Sequence, residues 1–356
     1  MISTFFQCIA GWMRRYEGVG RKLTDKCNCR REKVYSGIGG QAVLEGIMMK
    51  NSEKYAVAVR KPDGEIELLK EEYKNSELMK RLSGIPFVRG VFNFVDSLRL
   101  GMKCLNFSAS FYEDEEETQM SESKEKLVNT LVMVVSFALA IGIFIVLPYF
   151  LSSLFKKLIT NSTVIVLLEG VIRIGIFLGY VSLISLLEDI RRLYQYHGAE
   201  HKCINCLEHG KPLTVENVKE SSRLHKRCGT SFIFFVMLVS IVLFFFIRVD
   251  NVLMKVGLRL LLLPVVAGIS YEIIRLAGRS ENVLVKIISA PGMLIQRMTT
   301  KEPDEKMIEV AIAAVEAVFD WHHFLQEAFG IVCEDQPVRK EEMEASSDGK
   351  ADESDL

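Results

Sequence analysis

From Leu127 to Phe155 the chain carries no charged residue. An α-helix rises 1.5 Å per residue, so about 20 apolar residues cross the hydrocarbon core of a bilayer. This run is long enough to do so, with Pro148 near its far end. A buried helix of a soluble protein rarely stays uncharged for that length, so the segment predicts an integral membrane protein. Gly229 to Ile247, dense in Phe, Val and Leu, predicts a second clear span. Leu158 to Leu187 and Val256 to Tyr271 are less clean: the first contains Glu169 and Arg173, the second Arg259. Charges inside a span face a protein interior or an aqueous cavity, and Glu169 and Arg173, at i and i+4, share a helix face and can pair. The expected fold class is an α-helical integral membrane protein with about four transmembrane helices. Two spans plus interfacial helices are the alternative.

Charged residues make up 25% of the chain and hydrophobic ones 49%, so the two classes must be segregated along it. Net charge is -1, which gives no global attraction to nucleic acid. Lys and Arg in short loops set orientation. The connection after the second span holds Arg191, Arg192, Lys202, Lys211, Lys219, Arg223, Lys226 and Arg227, whereas the one after the first holds Lys156 and Lys157. The long connection is therefore expected in the cytoplasm, and with four spans both termini join it.

Outside the spans, Gly37 to Lys70 reads as β structure. Two short β-prone runs flank Pro62-Asp63-Gly64, a hairpin signal. Ile85 to Phe111 places apolar residues at helical spacing, which suits either the membrane surface or a core-facing helix. Asp304 to Phe329 reads as one helix, with Pro303 in its first turn. The chain divides into an N-terminal segment (1–36), a β-hairpin region with an amphipathic helix (37–112), an acidic linker (113–126) and two spans (127–187). A cytoplasmic metal-binding loop (188–228), two further spans (229–275), a C-terminal helical region (276–334) and an acidic, disordered tail (335–356) follow.

The loop holds the chemistry: YQYHGAEHKCINCLEHGKPLTVENVKESSRLHKRCGTSF. His197 and His201 are four apart and share a face if helical. Cys203 and Cys206 form C-x-x-C, and His225 and Cys228 form H-x-x-C. Imidazole and thiolate donors suit zinc. With more donors than a tetrahedral site needs, the favoured set is His201, Cys206, His225 and Cys228, with His197 as the competitor. His197-Gly-Ala-Glu200-His201 also matches H-x-x-E-H, in which two histidines bind zinc and the glutamate is general base toward water. That pattern needs a helix, and Gly198 weakens one. Glu45, in GGQAVLEG beside a glycine-rich turn, is a further candidate, although a β-turn with a surface carboxylate explains it better.

GGQAVLEGIMMK, YHGAEHKCIN, the block from His225 to Phe232 and PGMLIQRMTTKEPDEKMIEVAIAA together resemble the YqhQ-like family of bacterial membrane proteins. The resemblance runs from Tyr35 to Phe319. It implies a bacterial inner-membrane protein described as a predicted metal-dependent enzyme. It singles out Gly40, Gln41, Glu45, Gly46, His197, Glu200, His201, Cys206, His225 and Cys228, and discounts Cys203 as a ligand.

The leading expectation is a zinc-dependent hydrolase of the inner membrane with its site on the cytoplasmic face. Glu200 is its general base, and its substrate is a lipid or membrane-protein segment reached from the bilayer. The alternative is a membrane scaffold or assembly factor whose zinc only staples the loop. A transporter is a third reading, disfavoured because no inverted repeat is visible.

Overall fold

The computed structural model describes residues 33–73, 82, 84–112, 122–247, 249, 251–277 and 282–331. The expected N-terminal segment up to residue 32, the acidic linker up to residue 121 and the acidic tail lie outside them.

A four-stranded antiparallel meander comes first, in the order β1 (Gly39–Val43), β2 (Gly46–Asn51), β3 (Lys54–Arg60) and β4 (Ile66–Glu72). The hairpin expected around Pro62-Asp63-Gly64 joins β3 to β4, with Gly64 at φ 92°. The tighter turn between β1 and β2 holds Leu44 and Glu45, and Glu45 takes a φ of 48°. Side chains alternate across the strands. Ile47, Met49, Ala56 and Ala58 enter one core. Met48, Tyr55, Val57 and Val59 enter another, with Leu100 and Cys104 of α1 (Val88–Ala109). Both faces of the sheet are covered, which is why β2 and β3 read as nearly continuous apolar runs.

The amphipathic segment is thus a core-facing helix on the sheet, and it still exposes Phe94, Val95, Leu98, Met102 and Leu105. Its start docks on α8 (Val252–Ala277). A Cβ on Gly90 would fall 3.0 Å from the Gly268 Cα, and Arg89 Nε donates to Glu272 Oε1 at 2.6 Å.

The apolar helices are α2 (Glu122–Ile141), continued through a π turn (Gly142–Val146) into α3 (Leu147–Leu154), then α4 (Ser162–Ile184), α7 (Gly229–Phe244) and α8. Among the described residues, three helical stretches are long and apolar enough to cross a membrane: Thr130–Lys157, Thr163–Ile184 and Leu253–Leu276. This corrects the count of four. The run at Gly229 is helical for only 16 residues, about 24 Å at 1.5 Å per residue. The segment expected over Val256 to Tyr271 runs further, for 26 residues from Val252 to Ala277, with Pro264 inside it.

Glu169, Arg173 and Arg259 meet in one buried group. Glu169 Oε1 accepts from Arg173 Nη2 at 2.8 Å and pairs with Arg259 Nη1 at 2.6 Å. Arg173 Nε donates at 3.0 Å to the Phe144 carbonyl. In a regular helix that oxygen would accept from residue 148, which is a proline without an N–H.

The expected long loop is largely helical: α5 (Glu188–Glu208) and α6 (Val215–Glu220). After α9 (Val283–Thr299), the C-terminal region forms two helices rather than one, α10 (Glu305–Glu316) and α11 (Trp321–Phe329). Asp304 caps the first by accepting from the Met307 amide, which leaves Pro303 just outside it, and Asp320 caps the second by accepting from the His323 amide. Residues of α5 and α10 share one core with the sheet.

Candidate metal centre

Helix α5 passes through Gly198 unbroken. A Cβ at Gly198 would stand 2.0 Å from the Lys301 carbonyl oxygen, so the glycine admits the segment after α9 to close approach. The helix puts His197 and His201 on one face, their ring centroids 4.4 Å apart.

His197 Nδ1 lies 2.9 Å from the Thr299 carbonyl oxygen, and His201 Nδ1 lies 2.7 Å from that of Arg223. A carbonyl oxygen only accepts, so in each ring Nδ1 carries the proton and Nε2 is left to bind. Cys228 is the N-cap of α7, its Sγ 3.1 Å from His197 Nε2 and accepting from the Thr230 amide at 3.4 Å. One donor atom from each of His197, His201 and Cys228 lies within 4.8 Å of the others. Zinc bonds of 2.0–2.3 Å in a tetrahedron hold neighbouring ligand atoms roughly 3.3–3.8 Å apart, so small side-chain rotations bring this group to that size. Two imidazole nitrogens and a thiol are a donor set that fits zinc, and three protein ligands leave a fourth position open.

His225 stands beside this group, its ring centroid 5.9 Å from that of His201. Its Nε2 faces Glu208 Oε2 at 3.2 Å. Burial pushes the imidazole down to about 4, so at neutral pH the uncharged ring donates a hydrogen bond from Nε2–H to the carboxylate. Gln296 fixes its backbone, accepting from the His225 amide at 2.9 Å and donating to its carbonyl at 2.7 Å. Cys206 points elsewhere: its thiol donates toward the Lys211 and Pro212 carbonyls at 3.6 and 3.4 Å, and burial pushes it up to about 11. The favoured quartet is therefore not assembled. His201 and Cys228 are joined by His197, while Cys206 lies in the apolar core with Cys203.

Glu200 is 5% exposed, and its Oε2 has no hydrogen-bond partner among the described residues. Burial raises its carboxyl to about 7, against the opposing effects of His197 and the Gly40 amide. With Gln41, His197, His201 and Cys228 it lines a cavity of about 720 Å³ whose other wall includes Phe94, Leu98 and Met102 of α1. The β region thus completes the site. Glu45 serves differently: both its oxygens take the Arg192 guanidinium, and Oε2 accepts from Tyr196 at 3.3 Å, which ties the first hairpin to α5.

Glu208 was not expected from the sequence. It accepts from Arg227 at 2.7 Å, pairs with Lys33 at 3.3 Å and orients His225. Its position was readable in principle, because residues 197, 201, 204 and 208 form one helical stripe.

Fold and site together define a class: mainly helical proteins with span-length apolar helices, a small antiparallel sheet and a histidine–cysteine group between them. The family described as "protein of unknown function (DUF1385)" matches residues 85–321, and the chain belongs to it. It is 37% identical over 292 residues to the protein named "Uncharacterized protein YqhQ" of Bacillus subtilis (strain 168), covering 79% of this chain and 92% of that one. No solved structure matches. The family match includes His197, Glu200, His201 and Cys228 but begins after the sheet.

Proposed function

We propose that this is a metal-dependent hydrolase of the bacterial inner membrane, with zinc held by His197, His201 and Cys228 and Glu200 as general base. The observation that supports the reading is the meeting of two imidazole Nε2 atoms and a thiol beside a buried carboxylate, at the wall of a cavity. Zinc there would supply Lewis acidity and make water a better nucleophile at neutral pH. The chain's own part is protonic and positional. Glu200 takes a proton from water as its oxygen joins the substrate's acyl carbon, and returns it to the departing group as the old bond to that carbon breaks. Thr299 and Arg223 carbonyls hold the two imidazoles in register, and the apolar wall of α1 lowers the water content of the cavity.

Span length supports insertion in the bilayer. The site's attachment to the start of α7 and to α5, just after α4, gathers it with the sheet at one end of the apolar bundle. The eight Lys and Arg residues between Arg191 and Arg227 favour the cytoplasm for that end. The lipid bilayer is the partner implied.

Metal analysis of detergent-purified protein tests the reading. About one zinc per chain is expected in wild type and in Glu200→Gln, and little in His201→Ala. No zinc in the wild type after reconstitution under reducing conditions overturns it. Zinc retained in Glu200→Gln together with unimpaired cellular function would favour the scaffold instead.

A further inference from the structure

We propose that the cavity takes an extended apolar peptide segment, which adds as a strand to the outer edge of β1; this rests on the hydrolase reading only for what happens to the peptide afterwards. The sheet order leaves β1 at an edge. Val43 faces Gly46 across a two-residue turn, so those two exchange hydrogen bonds, and the alternation of an antiparallel ladder follows from there. Gln41 and Gly39 direct their main-chain groups to β2. Gly40 and Ala42 direct theirs outward, and residues 37–42 all line the cavity.

One of the outward groups is already faced, since the Glu200 carboxyl packs against Gly40, its carbon 3.0 Å from where a Cβ on that glycine would sit. The Gly40 carbonyl and the Ala42 amide have no hydrogen-bond partner among the described residues. An acceptor and a donor that flank one residue are what a neighbouring extended chain needs for the N–H and C=O of a single residue. Strand addition of this kind draws affinity from main-chain bonds and selectivity from alternate side chains.

Three features choose a peptide over an acyl chain. A lipid tail would bury these polar groups without satisfying them. At Gly39 an added Cβ would meet nothing within 4 Å, so this part of the rim is free of side chains and another backbone can come close. The orphan Oε2 of Glu200, buried at the same edge, meets the amide N–H that a peptide brings and a hydrocarbon lacks. The apolar wall at Phe94, Leu98 and Met102 then receives alternate side chains of the bound strand, so the segment is apolar. Where cleavage follows, an amide C–N bond breaks, the water oxygen joins the carbonyl carbon, and the amine leaves with the proton that Glu200 carried.

The test uses full-length protein in detergent and a fluorescein-labelled octapeptide of alternating alanine and leucine with a Lys-Lys tail. A matched peptide is N-methylated at alternate amides. Anisotropy should give roughly tenfold weaker binding for the methylated peptide, the loss of one or two net hydrogen bonds. Ala42→Pro, which removes an outward N–H and none that serves β2, should weaken the unmethylated peptide to a similar degree. Equal binding of the two peptides by wild type overturns the inference, whether or not the proline variant folds. So does binding of dioleoylphosphatidylglycerol with neither peptide bound. Discriminating binding without cleavage by the zinc-loaded protein upholds the inference and counts against the hydrolase reading alone.

Discussion

Glu200 of α5 is seated on Gly40 of β1: a Cβ on that glycine would lie 3.0 Å from the carboxyl carbon and 2.8 Å from the Met48 carbonyl oxygen. The backbone oxygen cannot swing away as a side chain can. Gly40→Ala should therefore cost about 1–3 kcal/mol. Part of that cost should vanish in a Glu200→Ala background, where one of the three close contacts is gone. Additive losses of thermal stability in the double variant would show that the two residues do not press on each other.

Gly198 makes a second such contact, with the Lys301 carbonyl oxygen 2.0 Å from where a Cβ would sit. Gly198→Ala gains helix propensity by about 1 kcal/mol, yet must push the 299–301 segment away. Since Thr299 in that segment holds His197, the variant should bind zinc at least tenfold more weakly. A competition titration against a chromophoric chelator reads this directly, and unchanged affinity would contradict it.

The two cysteines expected as ligands should separate cleanly. Cys228→Ser should lower zinc content sharply, because it removes one of three gathered donors. Cys206→Ser should keep zinc, at a modest loss of stability from a hydroxyl placed in an apolar core. The opposite pattern in metal analysis would move the site to the other face of α5.

Much of this was legible. The β3–β4 hairpin announces itself through Pro62-Asp63-Gly64, and the spacing of Glu169 and Arg173 gives their pairing. The two histidines and Glu200 stand out as H-x-x-E-H. A turn at Glu45 is readable, but not that Glu45 takes positive φ or leaves the surface to pair with Arg192, a partner 147 residues away. Gly198 argued against the helix the site needs, for its closeness to Lys301 lies 103 residues away in the chain and leaves no local trace. Local spacing could not rank Cys206 against Cys228 either. A C-x-x-C pair spreads its two sulfurs around a helix, and α5 turns both into the core.

Acid should unlock the support behind His225. Burial pushes Glu208 up, but the His225 hydrogen bond and the charges of Arg227 and Lys33 oppose it, and the carboxyl is held at about 2. A depressed folded-state value means stability that is fully present above the unfolded value of about 4.5 and lost as pH falls toward 2. Glu208→Gln should be less stable than wild type at pH 6 by on the order of 3 kcal/mol. The gap should close as pH drops through that window, and a pH-independent gap in apparent Tm would refute this.

Glu169 is shared by two guanidinium groups, those of Arg173 and Arg259. Glu169→Gln leaves two buried cations facing each other and should cost about 3–5 kcal/mol. Thermal unfolding in detergent measures it, and a loss below about 1 kcal/mol would mean that neighbouring rings, such as Phe244 beneath both guanidiniums, carry the charge unaided.

The two imidazoles at the centre are steered by main-chain oxygens, those of Thr299 and Arg223. Every amino acid brings the same carbonyl, so the residue type at these positions can drift among relatives while the tautomers stay locked. Aligned sequences would then look permissive at the points where the ligands are aimed, and the constraint would surface instead at glycines such as Gly198 that let those carbonyls approach.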